Sequence, residues 1–572
     1  MSAASLPYAE PNIRTILIQS CLILLLNIVN FVLDKALYCG LIGQFLLGIA
    51  WGTPGANWLD GEAQNVFVQL GYLGLLLMVY EGGLSTSLKA LKANFVLSCL
   101  VALTGICFPI GFSFVLQRLM RASPLQAFSA GASLCSTSLG TTFAVLGTTG
   151  LVRSRLGVVL TGAAMMDDVV GLVMVQIISN LGNAKSAFSY SDIVRPLLVS
   201  IAFAICSPLV CNFFVRPATV WLNGIREQNP SGYTNLALSK SHTSLLIHIF
   251  VLIGLVAGFS YAGTSNLFAA YIAGACISWW DEAVPHPTFS SNNYVFSTGS
   301  ANLVTVEKLD ARSSDLHKYQ KSSESTEDLE SMSSGLHIYL RYYSQSVNTI
   351  LRPLFFASIG FSIPITDMLR GAIIWKGLVY ASLMIIAKLV CGLWLLKFSM
   401  STTFVKRVIS WMKGSKISYL FSQTSKFNSS LPPEFSETDP EPLQDQILEI
   451  SEVNQRTPSA EHIESVESKS RSIYPASILG WAMVARGEIG FLISSVGEAN
   501  EIFRQNPKSQ QSSDIFLVVT WAIVLCTIVG PLAVGLLVRR VNKLQGSKGR
   551  ENTQIRGDVL GKWGAFANQN GD

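Results

Sequence analysis

Hydrophobic residues in this chain run in long blocks separated by short polar breaks, rather than alternating with polar ones at the period of a strand or an amphipathic helix. The hydrocarbon core of a bilayer needs about 20 apolar residues per helix, within a range of roughly 17–25. Measured against that length, the chain predicts thirteen spans, at 15–33, 37–52, 66–83, 95–116, 124–146, 156–181, 193–215, 244–262, 265–280, 347–363, 371–396, 473–499 and 515–538. Several are rich in glycine, as helices are where they approach closely in lipid. The first block has no basic leader or cleavage site and is long enough to span, so it is expected to remain as a helix.

Two hydrophilic stretches break the pattern, at 281–346 and 399–470. Both are rich in Ser, Glu, Asp, Pro and Asn and have no sustained period. They carry too little apolar surface to offset chain entropy and are expected to be disordered cytoplasmic loops. The predicted organisation is therefore a membrane domain beginning at 1–280, a loop at 281–346, the domain continued at 347–398, a loop at 399–470, its end at 471–540, and a basic cytoplasmic tail at 541–572. Basic residues favour the cytoplasmic side of short loops. An N-terminus outside and a C-terminus inside puts Lys35, Lys89, Lys92, Arg153, Arg155, Arg216, Arg226 and Lys240 in the cytoplasm, and leaves the outer loop 53–65 without Lys or Arg.

Composition agrees. Of 572 residues 50% are hydrophobic and 13% charged, against about 25% charged in soluble domains. The net charge of +5 comes without a basic face interleaved with aromatics, so nucleic acid is not an expected partner. Ten cysteines are scattered, mostly in apolar runs, with no metal-binding or disulfide spacing, and no cofactor is expected.

The candidate chemistry lies where charge enters these blocks. The sixth span contains Thr161-Gly-Ala-Ala-Met-Met-Asp-Asp-Val-Val-Gly171, two adjacent aspartates about halfway along. Inserting one aspartate at a helix centre costs about 2.5–3.5 kcal/mol, so an unneeded pair is a heavy burden and a functional reading is favoured over a helix-joining ion pair. Successive helical residues point about 100° apart, so Asp167 and Asp168 need not share one role. Lys388 lies too deep in the eleventh span to reach the interface, and the aspartate pair is its obvious partner.

Two spans carry signs of local unwinding. The fifth holds Ser133-Leu-Cys-Ser-Thr-Ser-Leu-Gly-Thr-Thr142, and the twelfth Val484-Ala-Arg-Gly-Glu-Ile-Gly-Phe491. Either alone reads as a packing kink. Paired breaks in two halves of a chain point instead to inverted repeats with a binding site at the midplane, where charges such as Arg486 and Glu488 meet opposed helix ends. Glu81 is read either as a counter-ion for Lys388 or as an interfacial acid, and Arg352 as the anchor at the start of its span.

At these residues the chain resembles the cation/proton antiporter superfamily, in the branch with bacterial sodium/proton antiporters and related eukaryotic exchangers. The matching pieces are Tyr80-Glu-Gly-Gly-Leu84, Ser136-Thr-Ser138, Ala164-Met-Met-Asp-Asp168, Phe355-Phe-Ala-Ser-Ile-Gly360, Lys388 with Gly392, and Arg486-Gly-Glu488. The Ser-rich acidic loops resemble those of fungal members. The resemblance implies an all-α polytopic membrane protein of about 13 transmembrane helices, built as inverted repeats with two crossed broken helices and assembled as a homodimer. It implies that Asp168 binds a monovalent cation and releases a proton, that Asp167 pairs with Lys388, and that Thr137, Ser138 and nearby carbonyls help strip water from the ion. The activity expected is exchange of sodium, potassium or lithium for protons. Alternatives are a cation channel or a cation-coupled solute symporter on a similar fold. An intramembrane aspartyl protease is disfavoured, because it needs aspartates from two different helices.

Overall fold

The computed structural model describes residues 10–37, 40–86, 94–138, 154–183, 191–229, 232–238, 241–284, 334–400, 473–504, 512–548, 560 and 563. Residues 285–333 and 401–472, which make up most of both hydrophilic stretches, lie outside them, as do Lys89, Lys92, Arg153 and Lys240. By internal contacts one unit comprises Met1–Trp394 with Tyr474–Asp572. The second is Leu395–Ile473, of which the described part is mainly a continuing helix to Met400.

Every element longer than two residues is helical among the described residues. The main ones, in chain order, are α1 (Ile13–Leu37), α2 (Gly40–Trp51), α3 (Gly61–Leu84), α4 (Phe95–Ser113), α5 (Pro124–Ser133), α6 (Arg155–Asn183), α7 (Ser191–Val210), α8 (Arg216–Gln228), α9 (Ser241–Tyr261) and α10 (Asn266–Ala283). They continue with α11 (Arg352–Gly360), α12 (Gly371–Leu389), α13 (Tyr474–Val484), α14 (Glu488–Ala499) and α15 (Asp514–Lys548). Among the described residues, nine helices are long and apolar enough to cross a membrane. The predicted spans at 37–52 and 347–363 correspond to a shorter helix, α2, and to α11 with the turns before it; 265–280 corresponds to the 18-residue α10, and 124–146 to α5 followed by a break, with residues 139–146 outside the described residues. The protein is a multi-pass integral membrane protein. The many exposed apolar side chains on α1 and α9, such as Leu17, Leu24, Phe31, Phe250 and Ile253, are what lipid-facing helices present.

Two expectations from the sequence are corrected. The seventh span does not stop near 215 but continues through α8 to Gln228, carried by a π turn at Cys211–Val215. The cause is Pro217, which has no N–H to return to the preceding turn; a wider turn absorbs the missing bond and the helix goes on. The same arrangement recurs at Val347–Leu351, just ahead of Pro353. The end of the first hydrophilic stretch is also ordered: Ser334–Tyr342 is helical. Its start is fixed by Gly335 N–H donating to Asp281 Oδ2 at 2.6 Å, and Tyr339 packs edge-on against Tyr80 with ring centroids 6.2 Å apart. The buried Ile338 and Tyr339 supply the apolar contact that the composition of the whole stretch hides.

Within the first unit, packing sorts the helices into two groups. In one, α3 lies along α10 and α11, with α2, α1 and α9 around them. In the other, α4, α5, α6, α12, α13, α14 and α15 pack on one another. The α3–α10 contact is backbone on backbone: a Cβ on Gly274 would stand 2.3 Å from the Tyr80 carbonyl, and one on Gly83 2.2 Å from that of Tyr271. Only glycine permits that approach. α7 touches both α6 and α10, and thinner contacts of α10 with α6 and α11 with α14 complete the seam between the groups.

Candidate functional site

The site begins where α5 ends. Its start is set by a capping box, in which Ser123 Oγ accepts from Gln126 N–H at 3.2 Å and Gln126 Oε1 accepts from Ser123 N–H at 2.9 Å. Its end follows from the run of hydroxyls after Ser133, after which residues 136–138 leave the helix. The second break is at 485–487, between α13 and α14. The two unwound segments lie against each other: Ser138 N–H donates to the Ala485 carbonyl at 3.0 Å. Gly487 makes the crossing possible, since a Cβ there would stand 2.7 Å from Ser138 Oγ.

Unwinding frees backbone groups that must be satisfied in a dry interior. Two cations do much of this work. Lys388 Nζ donates to the Cys135 carbonyl at 2.6 Å, and Arg486 Nη1 to the Ser136 carbonyl at 2.8 Å. Both therefore sit at the carbonyl end of α5, where the helix dipole favours positive charge. Thr527 Oγ1 donates to the Arg486 carbonyl at 3.0 Å, tying the second break to α15.

The aspartates come from the middle of α6 and part company as their angular offset predicts. Asp167 is fully buried; its Oδ2 accepts from Lys388 Nζ at 2.7 Å and from Thr137 Oγ1 at 2.9 Å. Thr137 Oγ1 itself accepts from Lys388 at 3.0 Å, closing a triangle. Gly105 on α4 leaves room for it, because a Cβ there would lie 3.0 Å from Lys388 Nζ and 3.3 Å from Asp167 Oδ2. Asp168 is half-buried, and its Oδ1 accepts from Ser136 Oγ at 2.9 Å. Glu488, the first residue of α14, is half-buried and near enough to act on Asp168 electrostatically.

The structure thus brings Asp167, Asp168, Thr137, Ser138, Lys388, Arg486 and Glu488 to one crossing point. Two assignments differ from expectation. Thr137 serves Asp167, and the hydroxyl on Asp168 is that of Ser136, the first residue of the Ser136-Thr-Ser138 motif. Glu81 is not among the groups bonded to Lys388; its neighbours are Tyr339 and Arg352, so these two candidates form a separate polar cluster at the end of α3. The signal for Ser136 was the hydroxyl run itself, which does not say which hydroxyl faces which carboxylate.

Comparison with known proteins finds likenesses over parts of the chain. Residues 22–304 match the family model described as sodium/hydrogen exchanger, transmembrane; the match contains both aspartates but ends before Lys388 and Arg486. Over 267 residues the chain is 24% identical to a Na(+)/H(+) antiporter of Enterococcus hirae, covering 46% of this chain and 64% of that protein. Over 133 residues it is 30% identical to the Na(+)/H(+)-K(+) antiporter GerN of Bacillus cereus, covering 23% of this chain and 34% of the relative. The solved structure of the sodium proton antiporter MjNhaP1 from Methanocaldococcus jannaschii superposes with a TM-score of 0.49 at 11% identity, over 92% of this chain and 99% of its own. The aligned region thus spans less than two thirds of the length of these two curated relatives.

Proposed function

We propose that the chain is a monovalent cation/proton antiporter, a reading supported by the match of residues 22–304 to the sodium/hydrogen exchanger family model, and that it exchanges an alkali cation for protons across its membrane, with Asp168 as the carboxylate that holds each in turn. The observation that carries this reading is the division between the two aspartates. Asp167 is sealed from solvent and engaged by Lys388 and Thr137, whereas Asp168 is half-buried and held by one neutral hydroxyl. A carboxylate locked to an ammonium cannot trade occupants. One with a single hydroxyl donor and access to water can.

Ser136 suits both loads. A hydroxyl donates to the bare carboxylate and turns to offer its oxygen when a cation arrives. Glu488 adds negative field on the same side and strengthens the attraction for a cation. With a proton or a cation bound, the charge at Asp168 is neutralised. With neither, the site would carry uncompensated negative charge through a low-dielectric interior, which is costly. If only the loaded site changes the side it faces, exchange follows. The protein acts in this reading as a transporter and not as an enzyme. The same reading places the N-terminus outside and the basic C-terminal residues Arg539, Arg540 and Lys543 in the cytoplasm. It also takes the protein as a homodimer.

The test is proton flux in reconstituted vesicles, with sodium, potassium and lithium supplied in turn and the membrane potential clamped. Wild-type protein is expected to give cation-driven proton movement, and Asp168→Asn to fall to the level of protein-free vesicles. Undiminished flux from Asp168→Asn would remove Asp168 from the site.

A further inference from the structure

Arg486 and Asp167 each keep hydrogen-bonding capacity unspent inside the same buried crossing. Arg486 is fully buried; Nη1 reaches the Ser136 carbonyl, but Nε and Nη2 have no partner among the described residues. Asp167 is fully buried; Oδ2 takes both of its bonds, and Oδ1 has no partner among the described residues. Unsatisfied charged donors and acceptors away from water are costly, and a fold that keeps both in one place needs a reason. The two groups lie within electrostatic reach of each other. Among the described residues, the groups acting on Arg486 also include Cys135, Cys391, Cys526 and Tyr380, none of them a carboxylate.

We propose that Arg486 is a second, reserve counter-ion for Asp167, whose free Oδ1 it engages when Lys388 withdraws. Lys388 and Arg486 hold adjacent carbonyls at the end of α5, those of Cys135 and Ser136, and so stand on neighbouring steps of the same segment. Arg486 is itself carried by the 485–487 break, where backbone rotation is least restrained by helical bonds. A guanidinium also offers several donors in a fixed fork, so it can keep its bond to Ser136 while turning another N–H to Asp167. Asp167 then stays charged and paired in every state, and the charge of the site changes through Asp168 alone. The transport consequence rests on the antiport reading given above, whereas the pairing itself does not. Arg486 is here a positioning residue, acting through Asp167.

The experiment is a thermal-unfolding cycle on the purified full-length chain, with Lys388→Gln, Arg486→Gln, the double variant, and the double variant carrying Asp167→Asn. With two counter-ions, each single change leaves Asp167 one partner, and the double leaves none. The expected result is a double variant whose melting falls below the sum of the singles by at least about 3 °C, a non-additivity that independent sites do not show. Asp167→Asn is expected to recover that deficit. If the double variant does not survive purification, recovery of yield by Asp167→Asn supports the pairing and failure to recover overturns it. Additive melting losses, or no recovery by Asp167→Asn, likewise overturn it. In vesicles, Lys388→Gln is expected to keep measurable exchange with a raised apparent KM, and Lys388→Gln with Arg486→Gln to lose it. Arg486→Lys, which keeps a charge at that position, is expected to retain exchange in the Lys388→Gln background where Arg486→Gln loses it. Absence of exchange from wild-type protein would refute the antiport reading and leave the melting cycle to decide the pairing.

Discussion

Ser136 and Thr137 are adjacent hydroxyl residues with different partners, and their difference decides what each can do. Thr137 lies 1% exposed between Lys388 and Asp167, so its removal acts on a locked pair. Ser136 bonds the aspartate that is open to exchange. Ser136→Ala removes one neutral hydrogen bond of about 0.5–1.5 kcal/mol. At about 1.4 kcal/mol per factor of ten, the apparent KM for the cation is expected to rise about 2- to 10-fold. The melting temperature is expected to stay within error of wild type. An unchanged KM, measured as cation dependence of proton flux, would separate Ser136 from the cation. The aspartates and Lys388 were legible in the sequence because the cost of a charge in an apolar block is visible in the composition of that block. The roles of Ser136 and Thr137 were not. Once a helix unwinds, successive side chains point to opposite faces, and the assignment of hydroxyl to carboxylate depends on where unwinding begins. Nothing in the four consecutive small and polar residues Cys135-Ser-Thr-Ser138 fixes that point.

At the scale of elements, the long apolar blocks were legible because their length is dictated by the bilayer. Their ends were less so. The continuation through Arg216-Pro217 and the ordered Ser334–Tyr342 depend on tertiary contacts that span length does not report. Trp280 Nε1 donates to Thr219 Oγ1 at 3.0 Å, which fastens α8 to α10. The glycines give a sharper test, since many of them look alike in the sequence and differ in what they touch. Gly274→Val on α10 places side-chain atoms against the Tyr80 carbonyl, which is backbone and cannot yield as a side chain does. Overpacking of this kind costs about 1–3 kcal/mol or more. A fall in melting temperature of several degrees is expected. Gly254→Val on α9 meets nothing within 4 Å and is expected to leave melting unchanged. Equal effects from the two substitutions would contradict the close α3–α10 approach.

At the scale of the molecule, Asp168 lies on the helix that meets the other group, since α6 touches α10 across the seam. The field of Asp168 reaches Tyr271 on α10 as well as Glu488 on α14. A site at such a seam changes the side it faces if one group slides or rocks past the other, without unfolding either. The seam is also where Phe45 on α2 meets Phe491 on α14, with ring centroids 5.1 Å apart. Neither ring takes part in the polar site, so the contact can be fastened without touching the chemistry. Phe45→Cys with Phe491→Cys, joined by a short reducible bifunctional thiol reagent, is expected to stop cation-driven proton flux in vesicles. Cleaving the link with a reductant is expected to restore it. Wild-type protein treated in the same way controls for the native cysteines, of which Cys135, Cys391 and Cys526 lie buried near the site. Complete cross-linking with undiminished flux would mean that the two groups do not move past one another at this contact, and that access to Asp168 switches through changes within the α5 and α13–α14 breaks alone.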